Sequence, residues 1–94
     1  MTEHARMAGD AQAIEARLLA FVHRELLAEG VVVDRETDLL TGDLLDSMSV
    51  LRLAAFVGES FGVEVGAADL LVENFRTVRV IAAYVRRRLG ESRP

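Results

Sequence analysis

The chain has no cysteine, no lysine and no tryptophan, and its single proline, Pro94, is the last of its 94 residues. Without cysteine there can be no disulfide framework, no thiolate nucleophile and no Cys-ligated metal. Without an internal proline, nothing interrupts a helical reading. Aromatic residues make up only 5% of the chain, so a core has to be built from Leu, Val, Ile and Ala. The two histidines, His4 and His23, offer no metal-binding spacing. No apolar stretch approaches the ~20 residues that span a bilayer. The opening MTEHARMAGD lacks the apolar run of a signal peptide. The expectation is a cytoplasmic protein with no membrane partner.

What is present is a composition 51% hydrophobic and 28% charged, which fits one small globular domain and argues against disorder. A domain this small encloses a modest core and has little room for a deep catalytic pocket. The net charge of −4 is unevenly spread: residues 1–75 carry 14 acids and 5 arginines, whereas residues 76–94 carry 6 arginines and Glu91. The basic end, Arg86-Arg87-Arg88, reads as the cationic last turns of a helix, favoured by the helix dipole, before it reads as a docking patch. The acidic majority would repel a phosphate backbone, so no nucleic-acid partner is expected.

Three long helices are predicted. Residues 1–10 read as a flexible tail, 11–90 as the folded domain and 91–94 as a second tail. Ile14, Leu18, Phe21, Val22 and Leu26 recur at helical spacing between Ala11 and about Ala28, with Asp10 as N-cap and Gly30 as stop. Residues 30–46 break that pattern. Val31–Val33 are β-branched but have no partner strand, so this stretch is predicted as a long loop, with a turn at Gly42-Asp43. Val33, Leu39, Leu40, Leu44 and Leu45 should pin it to the core. A loop of this length in a small domain is often functional.

Helical spacing returns from Ser47 to about Ser60, with Gly62 as stop. Residues 69–74 suit one short helical turn capped by Asp69. Thr77 caps a last helix whose Val78, Ile81, Ala82, Val85 and Leu89 face inward. The predicted fold class is all-α, a four-helix bundle with three long helices, one short helix and a long loop between the first and second. Leu53, Val57, Phe61, Val78, Ile81 and Val85 are expected to meet in its core. The second helix is apolar over more than one face, and Met48, Leu51 and Ala55 cannot all point inward.

The segment Gly42-Asp43-Leu44-Leu45-Asp46-Ser47-Met48 precedes that helix. An Asp-Ser pair alone is an ordinary helix cap. Here the order Gly-Asp-x-x-x-Asp-Ser-Met, after an acidic loop, resembles the attachment motif of the acyl and peptidyl carrier protein family. Phe61-Gly62-Val63-Glu64-Val65, Glu73-Asn74-Phe75-Arg76-Thr77-Val78 and Ile81-Ala82-Ala83-Tyr84-Val85 resemble later segments of the same family, so the likeness spans roughly residues 14–89.

The resemblance implies a non-catalytic, monomeric carrier with 4'-phosphopantetheine covalently attached to Ser47. Asp46 is then the candidate for transferase recognition. The implied partners are a phosphopantetheinyl transferase, an adenylation or acyl-loading enzyme, and downstream biosynthetic enzymes. Docking is expected around Met48, Leu51, Arg52 and Ala55. Fatty-acid carriers of the family have a strongly acidic second helix, but here Arg52 and Glu59 are its only charges. That departure looks more like a carrier of nonribosomal peptide or polyketide type.

The residues fit such a role. A thioester needs a thiol, which this chain lacks, and no His or Lys lies near Ser47 in sequence to act as its base. The alternative is a helical interaction module of the same fold without a prosthetic group. A small hydrolase would require His23 as the base and is more remote, because His23 reads as a solvated helix residue.

Overall fold

A computed structural model describes residues 11–42 and 44–91. The predicted tail 1–10, the Asp10 cap and Asp43 of the predicted turn lie outside the described residues, as do residues 92–94. The described chain is helical, with no strand among the described residues. In order it runs α1 (Ala11–Phe21), a π-helical turn (Val22–Leu26), α2 (Ser47–Phe61), a 3₁₀ turn (Ala67–Asp69), α3 (Val72–Phe75) and α4 (Val78–Glu91). The last helix thus runs one residue past the boundary predicted at residue 90.

α1 packs along α4, and α3 sits beside α4. Ile14, Leu18 and Val22 bring one stripe to the core, and Val78, Ile81, Ala82 and Val85 bring the facing stripe. Leu53 and Val57 of α2 are also fully buried, as expected. Phe61 differs from the expectation. It is only partly buried, with the Arg17 guanidinium 4.9 Å above its ring and the Phe56 ring edge-on at 6.1 Å. Phe61→Ala is therefore expected to cost about 1–2 kcal/mol in urea unfolding, from partial loss of apolar burial. That is well short of the roughly 3–5 kcal/mol of a fully buried ring.

The predicted first helix ends early. Its last turn loosens into the π turn, where Leu27 N–H donates to Val22 O at 3.0 Å and Leu27 is already extended. Gly30, at φ +89°, lies in the following turn and is not the stop itself. α2 ends as predicted: Gly62 adopts the left-handed conformation at φ +69°, and its N–H returns to Gly58 O at 3.0 Å. Gly58 is explained by a close approach, since a Cβ there would lie 3.2 Å from Val63 O.

Between the π turn and α2 no helix forms among the described residues, but the segment is densely tied. Asp34 accepts from Glu36 N–H at 2.8 Å and from the Thr37 hydroxyl at 3.1 Å. Asp38 accepts from Leu40 N–H at 3.0 Å. These acids build turns from their own side chains. The loop also completes the start of α4. Arg79 N–H donates to Arg35 O at 3.0 Å, and Thr77 Oγ1 accepts from Val80 N–H at 3.0 Å, which is the cap read in the sequence. Arg35 crosses to α1 with a two-pronged ion pair to Glu15, 2.7 and 2.9 Å, and Glu15 is buried. Val33, Leu39 and Leu45 are buried beneath the loop.

Asp69 does not cap the short helix. Leu71 precedes α3 without a side-chain cap. Asp69 instead accepts the Tyr84 hydroxyl at 2.9 Å and Gly66 N–H at 3.3 Å. The Tyr84 bond, then the Gly66 bond, hold the Asp69 carboxyl below its ordinary 3.8. Burial, then the same bond, push Tyr84 above its ordinary 10.0. The Asp69 contribution is present above pH 3.8 and is lost as pH falls through the lower native value. The Tyr84 contribution is present below pH 10.0 and is lost as pH rises through the higher native value. Tyr84→Phe is expected to lower the Tm between those limits and to return Asp69 toward its ordinary titration, read by NMR across the acid range.

Candidate functional site

Asp46 is extended, at φ −93° and ψ −177°, and is the N-cap of α2. Its Oδ1 accepts from Ser49 N–H at 2.8 Å, and its backbone carbonyl accepts from Val50 N–H at 3.0 Å. The Ser49 amide, then the Ser49 hydroxyl, hold the Asp46 carboxyl below its ordinary range. It is therefore an ionised carboxylate at neutral pH, and its structural role is the cap.

This cap makes Ser47 the first residue of the helix. Ser47 is exposed, and no group among the described residues bonds to its hydroxyl. One of the amides at this helix start is already taken by Asp46, which reduces what the helix end offers to a second anion.

His23 does not serve Ser47. Its Nδ1 lies 2.9 Å from Leu19 O, and its Nε2 accepts from Val33 N–H at 3.0 Å. It is a partly buried bridge between α1 and the loop, rather than the solvated residue the sequence implies. Among the described residues no cluster of three or more His, Asp or Glu side chains is placed to hold a metal ion. No described helix is long and apolar enough to cross a membrane.

Ser47 and Asp46 stand at the mouth of an open groove of about 410 Å³. One wall is α2, with Val50 and Leu51. The other is Leu70, Leu71 and Val72, entering α3. Leu40, Leu45 and Phe75 complete the lining. The lining is thus mostly apolar, seven aliphatic side chains and one aromatic ring, and Ser47 and Asp46 are its two polar residues.

Met48, Leu51, Leu71 and Val72 are 67, 53, 47 and 51% exposed, an unusual amount of large apolar surface around one serine. The structure brings Asp46, Ser47 and Leu51 together on this groove, with Met48 beside them on α2. Arg52 and Ala55 turn to the other flank. There they border a smaller hollow of about 230 Å³ with Phe21, Phe56 and Glu59. Arg52 is engaged with the π turn, donating to Glu25 O at 3.2 Å and to the Glu25 carboxylate at 3.4 Å.

Leu71 and Val72 were missed by the sequence reading. In a linear pattern they fall inside one short helical turn, whereas α3 begins only at Val72 and Leu71 is its cap residue. The run Leu70-Leu71-Val72, three consecutive large apolar residues entering a four-residue helix, is the signal that marks them. No protein-family model matches the chain and no curated protein matches it, so the chemistry of this site carries the functional assignment.

Proposed function

We propose that the chain is a free-standing carrier protein, a four-helix bundle with a long first loop, whose Ser47 hydroxyl is the attachment point for a 4'-phosphopantetheine arm. One observation carries this reading: an exposed serine hydroxyl, without a base of its own, stands on the first residue of α2 beside a largely apolar groove. A hydroxyl so placed is open to another enzyme and poorly equipped to act alone.

In loading, Ser47 Oγ attacks the β-phosphorus of coenzyme A. The new Oγ–P bond forms as the bond to the adenosine bisphosphate half breaks, and that half leaves with the electron pair. The Ser47 proton passes to a base on the transferase. The arm supplies the thiol that this cysteine-free chain lacks, and with it a thioester bond to an acyl or aminoacyl group. Asp46 fixes the helix start that presents Ser47, and its charge is available to the transferase. The chain is then a non-catalytic partner of a phosphopantetheinyl transferase, an adenylation or acyl-loading enzyme and downstream enzymes of a specialised biosynthetic pathway in the cytoplasm.

The test is incubation with a broad-specificity phosphopantetheinyl transferase, coenzyme A and magnesium, read by intact-protein mass spectrometry. A gain of one phosphopantetheinyl group is expected. No gain would leave the alternative, an interaction module of the same fold that uses the patch of Met48, Leu51, Leu71 and Val72 without an arm.

A further inference from the structure

His23 occupies an unusual position for an ionisable side chain. Val33 N–H can only donate, so Nε2, 3.0 Å away, must present its lone pair. Leu19 O can only accept, so Nδ1, 2.9 Å away, must carry the proton. The two backbone groups together fix one neutral tautomer. Adding a proton to Nε2 sets N–H against N–H and removes the acceptor from Val33.

We propose that His23 is an acid-released latch between the end of α1 and the loop that leads to Ser47. The proposal is independent of whether Ser47 carries an arm. Val33 is buried, so its amide has little access to water in place of the ring. The latch lies at the π turn, where α1 is least regular and a change of register is easiest.

The charged neighbours are each engaged elsewhere. On the same segment Arg24 bonds to Glu25, and Arg52 of α2 bonds to Glu25 as well. On the loop, next to Val33, Asp34 accepts from Glu36 and Thr37, and Arg35 is held by Glu15. No charged side chain among the described residues bonds to either ring nitrogen to stabilise the imidazolium. The Glu15–Arg35 pair and the bonds from the loop to α4 do not depend on the ring, so release is local rather than global. Beyond those anchors the same loop continues to Leu40 and Leu45, which line the groove beside Ser47.

The experiment is NMR on the unmodified protein across roughly pH 5–8, the range in which imidazole titrates. At the upper end, nitrogen shifts of the His23 ring should report the Nδ1–H tautomer. On acidification, Val33 amide exchange should accelerate about tenfold relative to that of Leu39, which is the loss of one hydrogen bond. Leu39 is the internal reference because its N–H donates to Arg76 O at 2.7 Å, with no histidine involved. In H23Q, whose side chain does not titrate, the Val33:Leu39 ratio should be flat with pH. An Nε2–H tautomer at neutral pH overturns the proposal. So does a Val33 amide indifferent to protonation of the ring in the unmodified protein, or a pH response that survives in H23Q.

Discussion

Ser47→Ala is expected to abolish transferase-dependent loading while changing the unfolding free energy by no more than about 0.5 kcal/mol, as for a surface change away from any structural feature. The separation follows from the division of labour at the start of α2. The cap is made by Asp46, not Ser47, and the Ser47 side chain is exposed. Alanine at the first helical position removes the nucleophilic oxygen and nothing that holds the turn.

The neighbouring position splits cap from charge. Asp46→Asn keeps a side-chain oxygen for the Ser49 amide, because asparagine caps as well as aspartate. It should therefore preserve the Tm while slowing loading, if the transferase reads the carboxylate. Asp46→Ala loses the cap and should lower both. A mass gain that survives Ser47→Ala would place the modification elsewhere and refute the assignment. Equal loading of the parent and Asp46→Asn would leave Asp46 a cap alone.

The features legible in the sequence are those set by local chemistry. Thr77 and Gly62 were readable because a cap hydroxyl and a left-handed glycine act on residues three or four positions away. The inward stripes of α1 and α4 follow from helical period alone. The place of Ser47 at the start of α2 was legible because its cap, Asp46, is the adjacent residue.

What escaped depends on residues far apart in the chain. Glu15 looks like a solvent-facing helix residue until Arg35, twenty positions on, closes over it. Asp69 looks like a cap until Tyr84 arrives fifteen positions later. Val33 claims the His23 ring from ten positions away. Phe61 differs for a related reason: its spacing fits the core stripe, yet it falls on the last residue of α2, where it packs at the edge of the core and Arg17 lies over its ring. The groove itself has walls from three separate stretches, so no window of sequence contains it.

Leu51→Asp is expected to slow transfer between the loaded protein and its cognate enzyme by about tenfold or more, as the loss of one buried aliphatic side chain implies. Arg52→Glu should have the smaller effect. The two residues are adjacent in sequence and opposite in circumstance. Leu51 lies on the groove with Ser47 and is 53% exposed, so an enzyme reaching the arm must cover it. Arg52 points to the other flank and is already engaged with Glu25, leaving little for a partner to gain from its charge. Met48, Leu71 and Val72 extend the apolar surface around the same serine, and none of them carries a charge. Apolar burial is indifferent to salt, whereas attraction between exposed charges fades beyond a Debye length of about 8 Å at physiological ionic strength. The transfer rate should therefore vary little across a salt series, and the Leu51→Asp deficit should persist at every salt concentration. Stability measured alongside separates docking from folding: Leu51 is exposed, so its replacement should leave the Tm nearly unchanged. A steep fall in rate with salt, or an Arg52 effect larger than the Leu51 effect, would mean that partners are recognised by charge and that the apolar rim of the groove is not the docking surface.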